Sequence, residues 1–336
     1  MPALDEKVLY EPVTNYFLNR GYFVVSGSPK PDIAGTSEFG LNVEGRPLRV
    51  DIVAARWDDS HQIETVAVEC KMLGSTARSV GAGLSQATDY QVAFDRVFIA
   101  TETIGTLGSK KSVLDALGIG HLQVDSRNKV RVIIEGDFRN KERFDNNIRA
   151  DQVTPRLIMF LAFTEALSKP IRYGETFGGG GYIAKDMGYN IQLNCWIDSR
   201  TKRLFFGINV EHIDSFRHIL RTLDWSEFGS KCRHLKRHRL SLRKDPIPGR
   251  PSAESVQIVA PTVCPSVDVA ALREAISSVV QDKSKPRRWR PHLQVFAPIL
   301  EYRQTLRREE CIGEMQEALG QVKELLAVLV GPGATL

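Results

Sequence analysis

In the strand-like run VAVECKM, residues 66–72, a carboxylate and an ammonium stand two residues apart, Glu69 and Lys71. Successive side chains of a strand point to opposite faces, so Ala67, Glu69 and Lys71 share one face while Val66, Val68, Cys70 and Met72 share the other. Asp51 lies in the preceding run, RVDIVA, and the polar loop DDSHQIE would fold the two runs into a hairpin that brings Asp51 beside Glu69. Two adjacent carboxylates repel unless a cation lies between them. Hard oxygen ligands suit Mg2+, which takes one or two carboxylates, keeps several waters and often binds phosphate, with Mn2+ as a substitute. A lysine on the same face could orient or deprotonate a water, or stabilise charge developing on phosphorus. These residue types at this spacing therefore point to metal-assisted hydrolysis of a phosphodiester. The plainer alternative is a solvent-facing ion pair, a contribution of about 0–1 kcal/mol. Cys70, on the opposite face, is expected to be a small buried hydrophobe and not a nucleophile.

The elements around these residues follow from periodicity and breakers. Val8, Leu9, Val13, Tyr16 and Phe17 recur at helical spacing, predicting a helix over residues 5–19 that Gly21 stops. Strands are expected at 22–27, 47–57 and 65–72, with turn-rich sequence between the first two and a flexible stretch at 74–83. A helix over 84–94, a buried strand at 96–101, a helix at 109–120 and a hairpin over 121–135 turning at 125–129 complete the order α, β, β, β, α, β, α, β, β.

Asp51 followed by Glu69-Cys70-Lys71 on the next strand resembles the PD-(D/E)XK nuclease superfamily. Gln86 and Tyr90, in QATDY on the following helix, resemble the Q-x-x-x-Y motif of its RecB-like branch, and Glu11 stands where many members carry a further acid. The resemblance covers residues 5–135. It implies an α/β nuclease core (αβββαβ, mixed sheet), a metal held by Asp51, Glu69 and Glu11, Lys71 acting on the water, Gln86 positioning the site and Tyr90 supporting it. It departs from the family pattern in that Val50, not proline, precedes Asp51; a literal Pro31-Asp32 is read as a loop feature. Glu11 as a solvated first-turn acid and Tyr90 as core beside Phe94 are the plainer alternatives.

A charged, polar stretch at 136–151 marks the expected linker between residues 1–135 and an α+β domain over 152–336. That domain is expected to hold a helix at 154–167, a glycine loop at 178–181, a hairpin over 189–210, helices at 212–225 and 267–281, and a terminal amphipathic helix at 306–330 that is either core or a homodimer seam. Residues 1–135 carry 14 Lys and Arg against 17 Asp and Glu, whereas the remainder carries 31 against 23, so the basic character belongs to the second half. Its clusters predict phosphate contact by Lys236, Arg237, Arg239, Arg287 and Arg288, with Trp289 able to stack on a base. DNA is the expected partner, and restriction, defence or repair the expected setting by fold analogy. A non-catalytic nucleic-acid-binding protein that keeps the nuclease fold is the alternative, and an assembly or regulatory protein a more remote one. The start MPALDEKVLYEP has no apolar h-region and no run is apolar enough to span a bilayer, so a cytoplasmic location with no membrane partner is expected. Five scattered cysteines without a C-x-x-C disfavour a disulfide framework and a zinc site.

Overall fold

The computed structural model describes residues 6–26, 39–43, 46–60, 62–72, 77–102, 110–138, 153–167, 176–179, 182–198, 201, 203–246, 255–282, 289–301 and 306–331. The chain divides into two compact units, Met1–Leu161 with Phe177–Gly181, and Ala162–Thr176 with Tyr182–Leu336. Pro31, Asp32 and most of the expected linker, residues 139–151, lie outside the described residues.

The first unit opens with a 3-10 turn, Glu6–Leu9, and helix α1, Tyr10–Leu18. Pro12 falls in the first turn of α1, where its missing N–H costs no helical bond, and Gly21, at φ +77°, ends the segment. Then follow β1 (Phe23–Ser26), β2 (Phe39–Val43), β3 (Arg46–Val50), β4 (Ile52–Trp57), β5 (Ile63–Lys71), α2 (Ala77–Tyr90), β6 (Arg96–Glu102), α3 (Lys110–Ala116), β7 (Gly120–Val124) and β8 (Val130–Ile134). Six strands form one mixed sheet in the order β1-β4-β5-β6-β7-β8, and β2 pairs with β3 apart from it. Only β5–β6 and β6–β7 are parallel, and each of those links crosses through a helix, α2 or α3, as parallel pairing requires. On one face of the sheet Ile52, Ala54, Val66, Val68, Cys70, Phe98, Ala100, Leu122 and Val124 pack with Leu9, Tyr10, Val13 and Phe17 of the first helical segment. The other face of β5 and β6 lies against α2. Helices on both faces explain why β5 is buried along nearly its whole length.

Four features of this unit differ from the sequence reading. The single strand expected over 47–57 is two strands in two sheets, broken at Asp51. The break has a chemical reason: Asp51 Oδ2 accepts the backbone N–H of Cys70 at 2.8 Å, so a side chain satisfies a main-chain donor of β5. Strand β2 arises where turn residues predominate, and α2 begins at Ala77, inside the stretch read as flexible. The face of β5 that carries Glu69 is not open to solvent either; Glu69 is 1 % exposed.

Helix α4 (Val153–Ala166) crosses the division between the units. The chain continues with β9 (Thr176–Gly179), and the second unit then carries β10 (Tyr182–Asp186), β11 (Ile191–Asp198), β12 (Arg203–Glu211), α5 (Ile213–Thr222), α6 (Trp225–His234), β13 (Arg239–Pro246), β14 (Val256–Val263), α7 (Val269–Gln281), β15 (Trp289–Glu301) and α8 (Arg308–Val330). A seven-stranded sheet runs β14-β13-β15-β12-β11-β10-β9 with antiparallel pairing along β13, β15, β12 and β11. The expected hairpin and the helices at 212–225, 267–281 and 306–330 are present as β11–β12, α5, α7 and α8. The sequence reading assigned no element where α6, β13, β14 and β15 lie, and Gly178 and Gly179, expected in a glycine loop, lie in strand β9. Proline is tolerated in β14 because it is an edge strand, with one side of its backbone unpaired. The apolar positions of α8, Met315, Val322, Leu325, Leu326 and Leu329, are buried in the unit. All five cysteines are buried free thiols, and no helix of the described residues is long and apolar enough to cross a membrane.

Candidate active site

Strand register sets the acids side by side. Ile52 pairs with Val68, so the next residue outward on each strand is Asp51 on one and Glu69 on the other. Around them the side chains close a network. Tyr10 donates its hydroxyl to Asp51 Oδ1 at 2.6 Å, Lys71 Nζ lies 2.7 Å from Glu69 Oε1, and Lys71 also donates to Glu6 Oε2 at 3.1 Å. The Tyr90 hydroxyl is 2.7 Å from Glu69 Oε2 and 2.8 Å from the Arg49 carbonyl oxygen. One hydroxyl carries one proton, so Tyr90 donates either to Glu69 or to the Arg49 carbonyl at any moment, and its bond to Glu69 favours the carboxylate.

Burial, then the charge of Asp51, pushes the Glu69 carboxyl up to about 7 against the pull of Lys71 and Tyr90. Burial also raises Asp51, although Tyr10, the Cys70 N–H and Lys71 oppose it. For Lys71 burial works against the charged form, but its bonds to Glu69 and Glu6 win and hold the ammonium at about 12. Lys71 is thus a fixed positive donor at neutral pH and not a base, which narrows the roles open to it. Cys70, fully buried between these groups and the core, has its thiol pushed far up and is inert.

Helix α2 supplies the opposite wall. Gly83 is where the Lys71 stem crosses the helix: a Cβ there would lie 2.7 Å from Lys71 Cγ. Gln86 and Tyr90 follow Gly83 at three and seven residues, the spacing of one helical face, and Gln86 is half-buried while Tyr90 is buried. The acid of the first helical segment that reaches Lys71 is Glu6; Glu11 is exposed on α1. Sequence reasoning missed Glu6, Tyr10 and Gly83. Glu6 was one of three acids on one predicted helix, and only the 3-10 geometry of its turn selects it. A glycine two residues after Gly81 in a helix is the signal that could have found Gly83. His121 was also missed. It shares a face with Glu69 through the pairing of both with Ile99, its Nε2 lies 2.8 Å from Thr101 Oγ1, and burial, then Lys111, lowers it to about 4, so it is neutral.

Asp51 and Glu69 are the residues here that could hold a divalent cation, with water completing its shell. Asp51, Glu69 and Glu6 outnumber the one ammonium, and each oxygen of Asp51 and Glu69 uses a single lone pair in the bonds above, leaving another for a ligand. Among the described residues no set of three or more His, Cys, Asp and Glu side chains is grouped to hold a metal. A half-site completed by water and phosphate is what Mg2+ accepts.

The predicted phosphate contacts divide. Lys236, Arg237 and Arg239 are exposed, Trp289 is half-buried at the start of β15, and Arg287 and Arg288 lie outside the described residues. Within the basic run, Lys231, Arg243 and Lys244 are neutralised by Glu324, Asp245 and Asp282 at 2.9, 2.9 and 2.5 Å. Compared with known proteins, the chain matches no family model, no curated protein and no solved structure.

Proposed function

We propose that the first unit is a metal-dependent nuclease of PD-(D/E)XK type that hydrolyses phosphodiester bonds of DNA. The observation that carries this reading is the cluster of Asp51, Glu69 and Lys71, in which burial raises the proton affinity of both carboxylates, the charge of Asp51 adds to it at the buried Glu69, and a fixed ammonium stands beside them. Electrostatic frustration of this kind is a cost to folding that a functional site retains. The order of α1, β1, β4, β5, α2 and β6 is compatible with the αβββαβ core of that superfamily.

A divalent cation between Asp51 and Glu69 would polarise a phosphoryl oxygen and favour attack by water. Lys71 would meet the negative charge that develops on the phosphoryl oxygens, since its ammonium keeps its proton. Gly83 and Glu6 would hold the Lys71 stem and head, Tyr10 and the Cys70 N–H would orient Asp51, and Tyr90 and Gln86 would form the α2 wall. The ion pairs of Lys71 with Glu69 and Glu6 favour a second reading, a nucleic-acid-binding protein that keeps the fold without catalysis. Incubation of the chain with supercoiled, linear and single-stranded DNA in Mg2+, Mn2+ or EDTA separates the two. Metal-dependent cleavage that disappears in Lys71→Ala and Asp51→Ala is expected; binding without cleavage under every condition supports the second reading.

A further inference from the structure

The sheet of the second unit has two unlike faces. One is apolar, with Leu193, Phe206, Ile208, Leu242, Leu293 and Val295 buried, and Phe163 of α4 set against Phe206 at 6.1 Å between ring centroids. Helix α8 packs on β12 and β15. The alternate residues of the same strands face the other way, and register arranges them in rows. Asn194 pairs with Gly207, which pairs with Phe296, which pairs with Arg239; one step along, Gln192 pairs with Asn209 and Asn209 with Gln294. Directly paired residues share a face.

That second face carries an aromatic patch beside unsatisfied amides. Trp196 and Phe205 stack at 5.5 Å and 10°, and Phe296 stands edge-on to Trp196 at 5.5 Å. All three are half-buried. Gly207 puts no side chain between them and the amides, and none fits, because a Cβ would sit 2.0 Å from the Val295 carbonyl oxygen. Asn209 is 2 % exposed and donates its amide N–H to Glu211 Oε1 at 2.7 Å; that bond fixes the amide orientation and leaves Oδ1 without a partner. Asn194 Oδ1 is buried and unpartnered as well. A buried acceptor without a donor costs about 1–3 kcal/mol, so two beside an aromatic patch call for a ligand with flat faces and N–H groups on its edge. Exposed cations rim the patch: Arg239 shares the row of Phe296, and Lys236 and Arg237 precede it in the turn that enters β13.

We propose that this face binds single-stranded DNA, with a base stacked on the Trp196–Phe205–Phe296 patch, its N–H edge toward Asn194 and Asn209, and its backbone along Lys236, Arg237 and Arg239. A flat face, an N–H edge and a phosphate chain together describe a nucleotide strand, and a duplex hides its base faces in the stack. The inference rests on the reading of the chain as a protein that acts on DNA, and supplies the strand type that its nuclease unit would be offered.

The test uses the full chain carrying Lys71→Met, in EDTA, with a fluorescein-labelled mixed-sequence single strand and the blunt duplex of the same sequence as probes for anisotropy. The single strand is expected to bind more tightly. Trp196→Ala and Phe296→Ala should each weaken it by at least about fivefold, while Trp196→Phe, which keeps a stacking face, should stay within about threefold of its parent and lose quenching of tryptophan emission on binding. Binding indifferent to Trp196→Ala and Phe296→Ala, or tighter binding of the duplex, overturns the proposal. Strand binding through Trp196 in a wild-type chain that never cleaves would sink the nuclease reading alone. Metal-dependent cleavage with binding indifferent to Trp196 would sink this one alone.

Discussion

Replacing Glu69 by glutamine should make the metal-free first unit more stable, and only above acid pH. In the folded chain Glu69 holds its proton up to about 7, whereas a carboxyl in an unfolded chain releases it near 4.5. Between those values the folded state binds more protons than the unfolded one, so stability falls as pH rises through the window and is level on either side. At about 1.4 kcal/mol for each pH unit that the window spans, ionising Glu69 costs the fold about 3–4 kcal/mol at pH 8. Glutamine has the shape of the protonated acid: its amide can donate to Tyr90 and its oxygen can accept from Lys71. Glu69→Gln is therefore expected to equal the parent at pH 4 and to exceed it by about 3–4 kcal/mol at pH 8. Hydrogen exchange of the β4 and β5 amides in EDTA reads the first unit by itself. A variant less stable than the parent at pH 8, or a difference that does not change with pH, would refute the reasoning.

Gly83→Ala should push the Lys71 stem aside, lowering the cleavage rate at least about tenfold while costing the helix nothing, since alanine favours a helix by about 1 kcal/mol over glycine; rate and thermal melt measured together check both halves. Tyr90→Phe removes a hydrogen bond that lowers Glu69, so the acid limb of the pH–rate profile should move to higher pH, with about 1–2 kcal/mol of stability lost. Arg237→Gln and Arg239→Gln should each reduce the slope of log binding constant against log salt by about 0.7, the single-strand value, and a salt series on the labelled strand measures it; an unchanged slope would remove these residues from the phosphate path.

The buried strand, the acid pair and the lysine were legible in the sequence because a polar pair inside a run of valines has few ordinary explanations. The period of two placed Glu69 and Lys71 on one face, and register put Asp51 next to Glu69 as the hairpin required. What periodicity could not show is that both faces of β5 are buried, since a fully covered strand and a half-covered one differ in neighbours and not in their own alternation. The break at Asp51 was hidden for a related reason: a side chain that replaces a main-chain acceptor leaves no mark on composition. In the second unit the errors share one cause. Lysines, arginines and prolines obscure the alternation of a strand, so no element was assigned there, yet β13 tolerates its charges by pairing Arg243 with Asp245 and Lys244 with Asp282, and β14 tolerates Pro261 at the sheet edge. The face bearing Trp196, Phe205 and Phe296 depends on β15, the strand missed, so its aromatic cluster could not be assembled from sequence alone.

The most direct test of the account is a count of bound Mn2+ by electron paramagnetic resonance, with and without a single-stranded oligonucleotide, for the parent chain, Asp51→Asn, Glu69→Gln and Lys71→Met. The account predicts at least one Mn2+ held by the parent and by Lys71→Met, and its loss in both carboxylate variants. Equal Mn2+ binding by the parent and Asp51→Asn, or none by any protein even with DNA present, would contradict it.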